Sequence, residues 1–202
     1  MSIIGLDLAG VETRPTGYCK LLDMKVETSL IYTDKEILSK IREFCPKIVA
    51  IDAPLSLPPG RKSLEERNGN HLRECDRELL NKGIKFFPIT LGPMRKLTER
   101  GMRLKKILNK ENLMALEAYP GGAQDVLGIP RKQKGLERLR AGLENLGIMG
   151  LSSGMSDHEL DAVTCAYVGK LFLEEKAVIY GSPEGIIMPK GERKSNRHTT
   201  DQ

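Results

Sequence analysis

Two apolar runs, far apart in the chain, each end on an aspartate. Ser2-Ile3-Ile4-Gly5-Leu6-Asp7-Leu8 is one and Lys47-Ile48-Val49-Ala50-Ile51-Asp52 is the other. Short runs of branched aliphatic residues read as strands covered on both faces, the pattern of central, parallel strands. A carboxylate inside such a run is costly to bury unless a cation or hydrogen-bond donors meet it. Strand alternation turns Asp7 to the face opposite Leu6 and Leu8. If the two strands are adjacent and parallel, both carboxylates reach the same sheet edge, where open α/β sheets bind ligands. Glu117 repeats the pattern at the end of Leu113 to Ala118, just before Tyr119-Pro120-Gly121. Any one of these acids would be explained by a salt bridge or a loop cap. Three together call for a neutralising cation, because like charges repel at close range.

The remaining elements follow from periodicity. Thr16 to Leu22 and Lys25 to Tyr32 read as strands joined at Asp23-Met24, making a three-strand meander with the first. Asp34 is placed to cap a helix carrying Ile37, Leu38, Ile41 and Phe44 at helical spacing, stopped by Pro46. Ala53 to Gly60 holds three prolines and cannot be regular,. Lys62 to Asn70 reads as a polar loop, His71 to Asn81 as a helix, Phe86 to Pro93 as a loop and Arg95 to Asn109 as a basic helix. Arg131 to Asn145 reads as helical and Gly147 to Gly154 as a loop. Ser156, with Glu159 three residues on, forms a capping box for a last helix running to about Glu174. Val178 to Tyr180 and Ile186 to Met188 suit a closing hairpin, and a polar tail, 190–202, is expected to be disordered. The expectation is one α/β domain over 1–189, with a mixed five-stranded sheet flanked by helices and a helical insertion at about 53–110.

The last helix supplies the fourth acid. In Ser156-Asp157-His158-Glu159-Leu160-Asp161-Ala162, Asp157 and Asp161 are four apart and share a helix face,. Ala162, Cys165, Ala166 and Gly169 follow, small residues that let the helix approach the sheet closely. Asp157 and Glu159 also suit the positive end of the helix dipole. His158 either ligates, shuttles a proton or is structural. Four carboxylates with no thiolate favour Mg²⁺ or Mn²⁺ over Zn²⁺. Two such ions, about 4 Å apart, would activate a water and stabilise the leaving oxygen of a phosphodiester. The metal set expected is Asp7, Asp52, Glu117 and Asp161, with Asp157 at its edge. The same four acids and His158 form the expected catalytic set.

Charge and composition narrow the partners. From Pro93 to Arg140 there are twelve Lys/Arg against five Asp/Glu, a local balance of +7 in a chain of net charge +5. A basic segment beside an acidic site suits a phosphate-rich partner, although a solvated helix face explains charge equally well. Arg73, Arg95 and Arg103 are the candidates to reach substrate phosphates. For Arg73 the competing reading is a local pair with Asp76, three residues on. Cys19, Cys45, Cys75 and Cys165 form no CxxC pattern and read as free thiols. No apolar stretch is long enough to span a membrane, and the start lacks the features of a signal peptide. A cytoplasmic protein with no membrane partner is expected.

The chain resembles a known family through five ordered motifs: Gly5-Leu6-Asp7-Leu8-Ala9-Gly10, Ala50-Ile51-Asp52-Ala53-Pro54-Leu55, Arg73-Glu74-Cys75-Asp76-Arg77, Glu117-Ala118-Tyr119-Pro120 and His158-Glu159-Leu160-Asp161-Ala162. These resemble domain-of-unknown-function family 429, described as predicted nucleases of RNase H-like fold, over roughly residues 2 to 189. The order β-β-β-α-β, insertion, β-α-α is the skeleton of that fold. More distantly, the pattern is similar to RuvC-type Holliday-junction resolvases, which place acids on the first strand, the fourth strand and the last helix. That resemblance implies metal roles for Asp7, Asp52 and Asp161. The helix acids of the resolvases are three apart, whereas Asp157 and Asp161 are four apart, and Glu117 has no equally clear counterpart. The resemblance implies a metal-dependent nuclease with a nucleic-acid partner and admits a homodimer.

Two other functions fit the same sequence. An actin-like or sugar-kinase-type ATP phosphotransferase also has a first strand ending in Asp followed by a Gly-bearing turn, but normally needs two such domains. A non-catalytic nucleic-acid-binding domain would keep the fold without the reaction.

Overall fold

The first apolar run is paired on both sides. β1 (Ser2–Asp7) runs antiparallel to β2 (Thr16–Leu22) and parallel to β4 (Ile48–Asp52). The computed structural model describes residues 1–66, 69–181 and 184–191. β3 (Lys25–Ile31) completes the meander beyond β2, and α1 (Asp34–Phe44) crosses back to β4. α2 (Glu74–Asn81) and α3 (Gly92–Lys110) fill the segment between β4 and β5 (Ala115–Ala118). Then come α4 (Pro120–Leu127), a one-turn 3-10 helix at Lys132–Lys134, α5 (Leu136–Asn145) and α6 (Asp157–Leu173). β6 (Ala177–Tyr180) and β7 (Ile186–Pro189) end the described chain. The sheet order is β3-β2-β1-β4-β5-β7-β6.

The sheet is covered on both faces. Ile4, Leu6, Val49 and Ile51 are buried with Ile37, Leu38 and Ile41 of α1 and Leu104 and Leu108 of α3. Ile3 and Ile48, one residue off in the alternation, are buried with Leu139 and Leu143 of α5 and with Leu160, Ala162, Val163 and Ala166 of α6. Each such side chain contributes about 1.5–3 kcal/mol relative to leaving it exposed. That two-sided burial is why β1 and β4 read as unbroken apolar runs.

Several boundaries differ from the sequence expectation. The sheet has seven strands rather than five, because the closing hairpin joins it as β7, parallel to β5, and β6. Thr33, not Asp34, caps α1: its side chain accepts from Glu36 N–H, and Asp34 is freed for a salt bridge. Tyr119-Pro120-Gly121 does not merely close a strand but opens α4, with Pro120 where its missing N–H costs nothing and Gly128 in the left-handed conformation at the end,. The helix expected over Arg131 to Asn145 is divided at Gly135, whose φ is 112°. α2 starts at Glu74 rather than His71, and α3 starts at Gly92 on Pro93 rather than at Arg95. The tail expected at 190–202 lies outside the described residues beyond Gly191, as do residues 182 and 183 of the hairpin turn. All four cysteines are free. Among the described residues no helix is long and apolar enough to cross a membrane.

Candidate metal centre

Asp7 and Asp52 are direct partners in the parallel β1–β4 ladder. Both fall on the phase of Ile3, Gly5, Ile48 and Ala50, the phase that faces α6, so alternation delivers two carboxylates to one side of one sheet edge. The Asp7 Oδ2 atom accepts a hydrogen bond from His158 Nδ1 at 2.6 Å. No hydrogen bond or ion pair reaches the Asp52 carboxylate among the described residues. Burial, followed by the charges of Asp7, Asp161 and Glu117, pushes the Asp52 carboxyl well above the usual carboxylate range. The same carboxylate, after burial, helps to raise the thiol of Cys165 on α6.

α6 comes this close because two glycines make room. A Cβ on Gly5 would overlap the Ala162 carbonyl oxygen and Ala166 N–H, and one on Gly17 would overlap the His158 carbonyl. The first turn of α6 therefore lies directly over the β1–β2 backbone. It is anchored by the expected capping box: Ser156 N–H donates to Glu159 Oε2 at 2.9 Å. Thr28 Oγ1 donates to the other Glu159 oxygen at 2.7 Å. Glu159 is thus a structural acid. Asp161, 5% exposed, turns inward toward Asp7 and Asp52.

Two residues that sequence reasoning did not select complete the arrangement. Gln124 Nε2, from α4, donates to Asp161 Oδ1 at 2.9 Å and to Thr164 Oγ1 at 3.1 Å. Lys132 Nζ bridges Asp161 Oδ2 at 2.9 Å and Asp157 Oδ2 at 3.0 Å. Burial alone would lower the Lys132 pKa; Asp161, Asp157 and Asp7 reverse this and hold the ammonium above its ordinary value. Burial raises the Asp161 carboxyl although Lys132 and Gln124 pull the other way. For Asp157 burial is outweighed by Lys132, and the carboxyl falls below its ordinary value. His158 is raised, chiefly by its hydrogen bond to Asp7. The signal for α4 was the Pro120…Gly128 pair, and for Lys132 the Pro130 and Gly135 that cut it out of a regular helix.

Glu117 belongs to a different network. It pairs in register with Ile51, which faces α1 and α3, so by alternation it starts from the face opposite Asp7 and Asp52, although at the strand ends it lines one pocket with Asp52. There Arg73 donates to both Glu117 oxygens, at 2.6 and 2.9 Å, and Leu55 N–H donates to Oε2 at 2.8 Å. Arg73 also pairs with Asp76 at 2.9 Å, the local pair weighed from the sequence. At 4% exposure Arg73 offers no free guanidinium, which corrects the expectation that it reaches a substrate phosphate.

The basic segment is partly consumed inside the protein. Arg100, fully buried, donates to Asp34, to the Ala9 carbonyl and to the Tyr32 carbonyl, tying α3 to the β1–β2 turn beside Asp7. Arg103 donates to Asp34 Oδ2 at 2.6 Å while keeping 57% of its side chain exposed. Arg95 donates to the Leu64 carbonyl at 2.8 Å. Two lysines of α3, Lys106 and Lys110, stay exposed; with Asn109 and with Lys105, which pairs with Glu184 at 3.5 Å, they line a groove of about 590 Å³ whose other wall is Leu55 to Leu57.

The donor set suits a hard divalent cation, being carboxylate oxygens with one imidazole and no thiolate. A carboxylate without any donor, facing two others, is the feature that calls for such an ion. As the side chains stand, no three His, Cys, Asp or Glu residues among those described are grouped to hold one ion together. Ligation would need side-chain rotation, or exchange of the Lys132 ammonium.

Comparison with known proteins places this arrangement in a wider set. A family model described as "Protein of unknown function (DUF429)" matches residues 5–185. No curated protein matches the chain. Among solved structures, the chain is similar to Thermus thermophilus RuvC in complex with a Holliday junction substrate, at 13% identity and a TM-score of 0.53, covering 87% of this chain and 96% of that one. A second Thermus thermophilus RuvC structure matches with the same identity and coverage and a TM-score of 0.47. The first likeness shows the fold: a mixed sheet flanked by helices, of RNase H-like type.

Proposed function

The chain belongs to the DUF429 family of proteins of unknown function, and we propose that it is a divalent-metal-dependent nuclease acting on phosphodiester bonds. The observation that carries this reading is the register pair Asp7 and Asp52, met by Asp161 from α6, with Asp52 lacking any donor among the described residues. Such a group is costly in a protein unless a cation completes it.

Asp7 and Asp52 are the leading ligands in this reading, Asp161 joins them where Lys132 gives way, Asp157 lies at the edge, and Mg²⁺ or Mn²⁺ is the ion. When bound, the ion would supply charge stabilisation for a scissile phosphate and lower the pKa of an attacking water. The protein's own groups do the rest. His158, donating to Asp7 from Nδ1, orients that carboxylate and carries a proton at the site's rim. Gln124 fixes the rotamer of Asp161. Arg73, Asp76 and Glu117 brace the ends of β4 and β5 through Leu55 N–H and are positioning residues. The lysine-lined groove along α3 suits a nucleic-acid backbone, whose phosphates it would meet as point charges,. A nucleic-acid partner is in keeping with the RuvC relative, which was solved on a Holliday junction.

The test is cleavage of a panel of four-way junction, duplex, single-stranded DNA and RNA with Mg²⁺ or Mn²⁺. Asp52→Asn should abolish cleavage and leave binding intact. A wild type that binds nucleic acid but cuts nothing across the panel would instead identify a non-catalytic binding domain.

A further inference from the structure

We propose that Lys132 is a built-in second cation of the acidic site, so that the protein takes one divalent ion, at Asp7 and Asp52, instead of two. The inference rests on the metal-site reading above and deepens it. A two-ion site needs all its carboxylates available. Here the Lys132 ammonium already lies 2.9 Å from Asp161 Oδ2 and 3.0 Å from Asp157 Oδ2, contacts typical of N⁺–H···O⁻ hydrogen bonds,. The other oxygen of Asp161 is met by Gln124 Nε2. Both Asp161 oxygens are therefore engaged before any metal arrives.

The unmet demand for positive charge lies elsewhere. Among the described residues Asp52 has no donor and Asp7 is met at Oδ2 alone, by His158. These two stand in register on adjacent parallel strands, and a single ion between them would satisfy both. One half of the acidic cluster is thus neutralised by the chain and the other half is left for a ligand.

Lys132 is also held in place. Its neighbour Arg131 donates to both oxygens of Asp125, at 2.9 and 2.7 Å, and lies over the Tyr119 ring. Pro130 precedes the segment, and the 3-10 turn is closed by Lys134 N–H donating to the Arg131 carbonyl at 2.9 Å and Gly135 N–H to the Lys132 carbonyl at 3.0 Å. An ammonium is a compact point charge on a long stem. On a hydrogen-bonded turn it can take an ion's position between carboxylates while the stem spans the gap from the surface.

The experiment is titration of the metal-free protein with MnCl₂ alone, without nucleic acid, followed by calorimetry and by the electron paramagnetic resonance signal of free Mn²⁺. Wild type should bind one Mn²⁺ per chain. Lys132→Met, which keeps the stem and removes the charge, should bind a second Mn²⁺ or bind the first about tenfold more tightly. Lys132→Arg should stay at one. Lys132→Gln serves if the methionine variant fails to fold, and the wild-type stoichiometry is decisive by itself. Two Mn²⁺ on the wild type, or equal number and affinity in wild type and Lys132→Met, would overturn the inference while leaving the metal site standing. No Mn²⁺ on any of the proteins would overturn both.

Discussion

Arg73 grips both carboxylate oxygens of Glu117 in a site where each side chain is only 5% exposed. A buried pair of this kind is costly to break from one side, because the survivor keeps its charge without a partner. Arg73→Met should therefore lower unfolding free energy by about 3–5 kcal/mol, read from urea denaturation. The Mn²⁺ affinity of whatever fraction stays folded should not change. Lost metal binding at unchanged stability would put Glu117 among the ligands.

Asp52 gives a stability test with a defined sign. Its folded carboxyl is raised, first by burial and then by Asp7, Asp161 and Glu117. A raised acid stabilises the fold below the unfolded value, about 3.9 for Asp, and that stability is lost as pH rises through the folded value. Metal-free wild type should thus lose stability as pH rises from about 4 toward neutrality. Asp52→Asn should flatten this slope and raise the melting temperature at neutral pH, by roughly 2–4 °C for each kcal/mol of repulsion relieved. Mg²⁺ or Mn²⁺ should stabilise the wild type more than the variant. Scanning calorimetry with and without metal measures all three effects.

His158 offers a spectroscopic reporter. Its pKa is raised, chiefly by the hydrogen bond to Asp7. The bond therefore stabilises the protein below the unfolded value, about 6.5 for His, and that contribution fades as pH rises through the folded value. Proton NMR of its ring should titrate with a midpoint above that of a free imidazole. Asp7→Asn, or saturating Mg²⁺ on Asp7, should lower the midpoint. An unmoved midpoint in both cases would separate His158 from the site.

The two seat glycines are the fourth test. Gly5→Ala puts a methyl into the Ala162 carbonyl and Ala166 N–H. Overpacking against backbone cannot be relieved by a rotamer change, so a loss of about 1–3 kcal/mol or more is expected. Metal affinity should fall with it, because α6 carries His158, which is hydrogen-bonded to Asp7. Chemical denaturation and Mn²⁺ titration on the same sample measure both.

The sequence announced some of this plainly and hid the rest. Asp7 and Asp52 were legible because an acid in a branched aliphatic run has no packing role, and strand alternation gives its phase. Asp161 was legible from the small-residue face that follows it. Glu117 takes Arg73 as its partner for a reason that alternation, which relates residues within one strand only, does not display. Which face of the sheet it meets depends on its pairing with Ile51, a register that no local pattern displays. The Arg73–Asp76 pair is legible from its spacing, but the second partner of Arg73, Glu117, is 44 residues away and leaves no local trace. Lys132 stood unnoticed inside a basic stretch whose charges read as a solvated face. The closing hairpin was visible as two short apolar runs, but only β5 decided that it would extend the sheet.

The seating of α6 on Gly5 and Gly17 has a consequence in time as well as in space. Asp7 and Asp52 are synthesised ahead of Asp161 and the helix that carries it, which follow Asp52 by over a hundred residues. A nascent or truncated chain ending before α6 would hold two acids without the His158 that meets Asp7, and its first strand would lack the helix that covers it. Competence at this site is therefore withheld until the end of the fold has been made.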